Sequence, residues 1–166
     1  MSKIKYIDQG AVFSDCRNYR YVLYRIWDRS LPNVMAIGLN PSTANAQYDD
    51  CNIEKLVAIL QHNGYGGLTM TNLFGLISND HEDLRKSTDP VRENDVWLKK
   101  IQQQSEVVVF CWGALPQAEY RARKIIPQFP RALCLGRTDK GNPRHPLYLK
   151  RTTKLIPYAE NIHSPA

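Results

Sequence analysis

Three short strand-like segments constrain this chain most: the continuous apolar run 34–39 (VMAIGL), 68–74 (LTMTNLF) and 106–112 (EVVVFCW). Each is short and reads as a strand, and the run 34–39 as a buried central one. Such strands need helices above and below them, and the intervening segments have the helical period. Ile53, Leu56, Val57 and Leu60 recur at three- and four-residue intervals and predict a helix over 51–62, capped by Asp50 or Cys51 and ended by Asn63-Gly64. Asp89-Pro90 reads as the start of a second helix running to about residue 104, and a third is predicted over 114–125. Residues 19–27 (YRYVLYRIW) add another strand and 131–135 a last short one, with a polar loop over 77–88. The alternation predicts an α/β fold, a three-layer sandwich with a mainly parallel central sheet, as one domain over 1–166.

In such sheets ligands collect where strand carboxyl ends run into loops. Two polar, proline-stiffened turns occupy that position, Gly38-Leu39-Asn40-Pro41-Ser42 and Asn142-Pro143-Arg144-His145-Pro146. The spacing therefore predicts that an amide from the first and an imidazole from the second face one small molecule.

Composition narrows the setting. Asp8, Gln9 and Asp15 interrupt the N-terminal stretch where a signal peptide would need an apolar core, and no run approaches the ~18 apolar residues of a membrane span. A soluble, cytoplasmic protein is expected. The four cysteines are far apart, with no close pair of the kind that builds zinc or redox sites, and read as free thiols. The net charge of +6 is concentrated: residues 121–154 hold ten basic residues against one acid, Asp139, which leaves the rest of the chain net acidic. A basic segment beside a candidate site suits a phosphate-bearing partner, DNA or a nucleotide.

Taken in order, the pieces GLNPSTA, TNLFGL, STDPVREND, VVFCWGA and GNPRHPLYL resemble the domain of unknown function 1643 family over about residues 31–149. Their layout is similar to that of the wider uracil-DNA glycosylase superfamily, which implies a glycosylase-like fold without cofactor or metal. In that superfamily a G-x-(D/N/E)-P motif after a central strand orients or activates water, and Gly38, Asn40 and Pro41 match it; the asparagine resembles the mismatch-specific uracil/thymine branch. A second motif, commonly His-Pro-Ser, supplies the histidine that stabilises the departing base. His145-Pro146 match it, with Leu147 in place of the serine. Thr71-Asn72 resembles the segment lining the base pocket, and Trp112-Gly113-Ala114 the strand–helix junction before the second motif. A side chain just after that motif plugs the vacated base stack in related enzymes, a position held here by Leu147, Tyr148 or Leu149.

The resemblance thus implies hydrolysis of an N-glycosidic bond, with Asn40 and His145 as catalytic residues. An asparagine amide does not titrate near neutral pH, so Asn40 would position water without deprotonating it. The general base it lacks typically contributes ~10²–10⁴-fold. His145 would carry more of the chemistry, since one preorganised donor to a developing oxyanion is worth roughly 3–4 kcal/mol in other enzymes. The charge of Arg144 would favour its neutral, hydrogen-bond-donating form. Gly38, Leu39, Pro41 and Asn72 would bind the base, Asn72 through its paired donor and acceptor, with Phe74 and Tyr48 as stacking partners. Ser42 and Thr43, read as helix caps, and the basic residues Arg137, Lys140, Arg144, Lys150 and Arg151 would hold phosphate, with Leu147 and Tyr148 against nucleic acid. Asp49-Asp50 offers magnesium ligands, though two acids before a helix also serve its N-terminus. A non-catalytic module recognising a nucleobase, nucleotide or modified DNA is the alternative.

Overall fold

Three parallel strands form the centre of the molecule and end together at one edge. The computed structural model describes residues 4–159. β1 (Asp8–Phe13), β2 (Arg20–Ile26), β3 (Asn33–Gly38), β4 (Gly67–Asn72), β5 (Val107–Phe110), β6 (Leu133–Cys134) and β7 (Ile156–Pro157) make a seven-stranded mixed sheet in the order β1-β2-β4-β3-β5-β6-β7. The pairs β4–β3, β3–β5 and β5–β6 are parallel, whereas β1–β2, β2–β4 and β6–β7 are antiparallel. Gly38 pairs with Asn72, and Ile37 with Phe110, so the turns after β3, β4 and β5 leave side by side.

Alternation along the buried strands sends side chains into two cores. Val34, Ala36, Leu68, Val109 and Cys111 pack against α1 (Cys51–His62) on one face. Met35, Ile37, Leu73 and Phe110 pack on the other against α2 (Asp83–Lys86), α3 (Asn94–Gln103) and α4 (Pro116–Ile125). α1 begins as its sequence predicts, with Asp50 Oδ1 accepting the Ile53 N–H at 2.9 Å. Two single 3₁₀ turns, Ile126–Gln128 and Pro146–Tyr148, complete the regular structure.

Three expectations need correction. The helix expected from Asp89-Pro90 starts at Asn94 instead, because the Asp89 carboxylate accepts the Arg92 N–H at 2.7 Å and Arg92 turns to φ 51°, a left-handed conformation no helix continues through. The strand over 131–135 shrinks to Leu133–Cys134, and the polar loop over 77–88 holds the short α2. β1 and β7 were not expected at all: they are edge strands whose order comes from pairing with β2 and β6. No helix among the described residues is long and apolar enough to cross a membrane.

Candidate functional site

A cavity of about 620 Å³ opens where β3, β4 and β5 end, on the α1 side of the sheet. Its apolar wall is Leu39, Ile53, Leu56, Met70 and Cys111. Gly38 makes room for its polar wall: a Cβ there would stand 2.7 Å from Asn72 Oδ1 and 2.6 Å from Met70 Cε. Gly113, in a left-handed conformation at φ 81°, turns the chain after β5 so that its N–H donates to Pro143 O at 3.0 Å. That bond draws the second turn onto the sheet edge, and Asn40 and His145 line the same cavity.

The Asn40 amide is mostly committed to the backbone. Its Nδ2 donates to Pro41 O at 3.1 Å, Leu76 O at 3.2 Å and Ser78 O at 2.9 Å, which ties the segment after β4 to the turn after β3. Three carbonyl partners settle which end is nitrogen, so Oδ1 is the end left to accept a hydrogen bond from water or ligand.

His145 sits half-buried, and its Nδ1 accepts the Leu147 N–H at 3.2 Å. In the neutral ring the proton therefore resides on Nε2, the donor. Burial first, then the adjacent His81, holds its pKa below the ordinary imidazole value, while Asp50 opposes the shift. The cause is thus not Arg144, whose stem lies over Gly136, where an added Cβ would meet Arg144 Cδ at 3.3 Å.

Three polar atoms in the lining are buried without a hydrogen-bond partner: Asn72 Nδ2, Arg20 Nε and Asn52 Oδ1. Asn72 is 2% exposed and Arg20 3% exposed. Native proteins leave few such atoms, and a cluster of them in one cavity is what a bound ligand would satisfy. Arg20, Asn52 and His81 escaped sequence reasoning. The only signal for Arg20 was a charge at the start of an apolar strand.

Both candidate magnesium ligands are engaged elsewhere. Asp49 pairs with the fully buried Arg25, Nε to Oδ1 at 2.8 Å, and accepts the Tyr6 hydroxyl. Asp50 caps α1 and accepts the Ala44 N–H at 3.3 Å. No cluster of three or more His, Cys, Asp or Glu side chains able to hold a metal occurs among the described residues.

Other expected site residues divide by place. Gly38, Leu39, Ser42, Asn72, Arg144, Leu147 and Tyr148 line the cavity with Asn40 and His145, and Tyr148 is 88% exposed at its rim. Pro41 is buried beside it, its carbonyl accepting the Ser78 N–H at 3.1 Å. Two expected stacking partners are not brought there: Phe74 belongs to the opposite core, with the Arg121 guanidinium 6.0 Å from its ring centre, and Tyr48 is 71% exposed away from the lining. Ser42 and Thr43 cap no helix, since α1 starts only at Cys51; Thr43 is exposed outside the lining, and the Ser42 hydroxyl donates to Asn79 Oδ1.

The basic segment does not form one patch at the site. Arg144 is the one of its ten basic residues that lines the cavity. Arg121 is buried against Asp95, Arg123 pairs with Glu119, and Arg137 donates to Tyr158 O at 2.9 Å. Lys140 and Lys150 are exposed outside the lining, and Arg151 borders a separate shallow concavity beside Trp27 and His62.

Neither the curated proteins nor the solved structures contain a match to this chain. One family model does match, over residues 20–147, a span that includes β2 to β6 and both turns of the cavity. The chain therefore belongs to the family described as protein of unknown function (DUF1643).

Proposed function

We propose that the cavity receives a nucleobase, carried on a nucleotide or extruded from nucleic acid, and that the protein is base-recognising, with a layout related to the uracil-DNA glycosylases. The observation that carries this reading is the Asn72 amide nitrogen, buried and unpartnered in a cavity shared with His145 and Asn40. A side-chain amide offers a donor and an acceptor, which suits the polar edge of a base. The apolar wall of Ile53, Leu56 and Met70 suits its faces.

Hydrolysis of the N-glycosidic bond is the reaction these residues would support. His145, neutral with its proton on Nε2, would donate to a base carbonyl as negative charge develops on the leaving base. Asn40 Oδ1 would accept a hydrogen bond from the attacking water. Asp50 is the one carboxylate among the described residues lining the cavity, and both its oxygens accept backbone N–H groups, so deprotonation of that water would lack a dedicated base and turnover would be slow.

A second reading, a binding module without turnover, is favoured by one specific observation: the Asn40 amide nitrogen is spent on three backbone carbonyls. Incubation with single- and double-stranded oligonucleotides carrying uracil, hypoxanthine or modified pyrimidines, scored for abasic sites, separates the two. Base release that His145→Ala lowers by ~10²–10³-fold supports the glycosylase. Binding without release by wild type or variant leaves the module, absence of both restricts the pocket to a free nucleoside or nucleotide, and failure to bind those as well rejects the base-pocket reading.

A further inference from the structure

Arg20 is out of keeping with a pocket built only for a neutral base. Its side chain is 3% exposed, in the cavity wall, where a guanidinium is kept only with partners that compensate its lost hydration. Nη1 donates to Ala44 O at 2.8 Å. Among the described residues Nε is buried without a partner, Nη2 makes no hydrogen bond to the protein, and no carboxylate lies within ion-pair distance. The contrast with Arg25, from the same strand, is direct: that guanidinium is equally buried but holds Asp49 and several backbone carbonyls. Desolvation pulls the Arg20 pKa down to about 10 against only a partial offset from Asp50, whose oxygens serve the Ile53 and Ala44 amides.

Nε and Nη2 form the edge of a guanidinium that takes two oxygens of one anion side by side. We propose that this edge of Arg20 is an oxyanion subsite of the cavity, binding a phosphate or carboxylate borne by the ligand. So enclosed a guanidinium meets a group carried inside on a small molecule, not the phosphodiester backbone of a polymer lying across the surface. The ligand class is therefore a free anionic nucleotide, or a base bearing its own carboxylate. The assignment to nucleotides rests on the base-pocket reading; the anion subsite rests on Arg20 alone.

The test follows the Arg20 Nε–H resonance in the ¹⁵N spectrum of the whole protein, identified by its loss in Arg20→Lys. Inorganic phosphate and acetate are added separately, with chloride at equal ionic strength as control. A saturable shift with phosphate or acetate but not chloride, with a dissociation constant of about 1 mM or tighter, supports the subsite, and the stronger anion identifies the source. Uridine and uridine 5′-monophosphate are then compared by calorimetry. A monophosphate preference of about 10- to 100-fold, the range set by charge-assisted hydrogen bonds, is expected in wild type and lost in Arg20→Lys. Should that variant not fold, through-bond correlation to the Arg20 backbone identifies the resonance, and the wild-type anion titration still decides. If neither anion moves the resonance, the subsite is refuted whatever the nucleoside does. If anions bind through Arg20 while neither nucleoside nor nucleotide adds affinity, the subsite stands and the base-pocket reading fails.

Discussion

Replacing Asn40 tests whether its amide serves the backbone or a water molecule. Nδ2 carries two protons and reaches three carbonyls, so it makes at most two full hydrogen bonds with the third shared. Pro41 O keeps the Ser78 N–H when the amide is removed, whereas Leu76 O and Ser78 O have no other partner among the described residues. At about 1 kcal/mol for each lost bond, Asn40→Ala should cost about 2 kcal/mol, a fall in Tm of about 4–8 °C for a domain of this size. Asn40→Asp is the sharper probe. It places carboxylate oxygens where the amide protons faced three carbonyl oxygens, and should be less stable than the alanine variant by at least ~1 kcal/mol. Acidification, which protonates the new carboxyl and restores one donor, should recover part of that loss. A water-positioning site predicts the reverse for activity, because a carboxylate there would act as general base and raise base release by ~10²–10⁴-fold. Urea unfolding of the three proteins, read as midpoints at unchanged slope, measures the stability order. The tether is refuted if the aspartate variant is as stable as the alanine variant, or if alanine costs nothing.

Further expectations come from other parts of the same edge. Gly38→Ala should destabilise the fold by about 1–3 kcal/mol through overpacking against Met70 and Asn72, and should weaken nucleoside binding by displacing the Asn72 amide; calorimetry showing wild-type affinity would contradict the shape of the cavity. Because burial and then His81 hold His145 below the ordinary imidazole value, its neutral form contributes stability that is present above about pH 6.5 and lost as pH falls from there through its folded pKa. A proton NMR titration should find its midpoint below the ordinary value and moved upward in His81→Asn; a midpoint at or above the ordinary value in wild type would count against this environment. A thiol reagent should modify exposed Cys16 and Cys51 in the native protein and reach Cys111, whose thiol burial pushes up to about 12, and Cys134 only on unfolding.

Much of the fold could be read locally because several short-range signals coincided. β3 and β5 are short apolar runs, β4 is a β-propensity segment bounded by glycine and asparagine, and α1 carries both its apolar stripe and its Asp50 cap within a dozen residues of sequence. The failures arise where contacts outside the local pattern decided the outcome, the neighbouring strand of a hairpin for β1 and a turn held by other segments at Asp89. β1 has no fully buried residue and is ordered by its ladder to β2, with a bulge between Val12 and Phe13 that no periodicity anticipates. At Asp89-Pro90 the local cap signal lost to a turn: Leu76 N–H donates to Pro90 O at 3.1 Å, and the Tyr19 hydroxyl donates to Asp89 O. Those contacts hold the segment as a loop and delay α3 to Asn94.

The same distinction runs through the site. Asn40 and His145 stood out because turns that follow strands of one parallel set must emerge together, whatever their separation along the chain. Nothing comparable marks Arg20, which arrives from the antiparallel β2, or Asn52, on the first turn of α1. Sequence places Arg20 and Arg25 on equal terms, as two cations in one strand otherwise rich in aromatic and β-branched residues. The difference between them is three-dimensional: Asp49 pairs with Arg25, and no carboxylate among the described residues comes within ion-pair distance of Arg20. A buried guanidinium with its carboxylate in place holds the fold together. One whose Nε is buried and unpartnered in the wall of a cavity would be satisfied by an entering acceptor, so under the proposed anion subsite the specificity of this pocket would rest on a residue that neither turn motif includes.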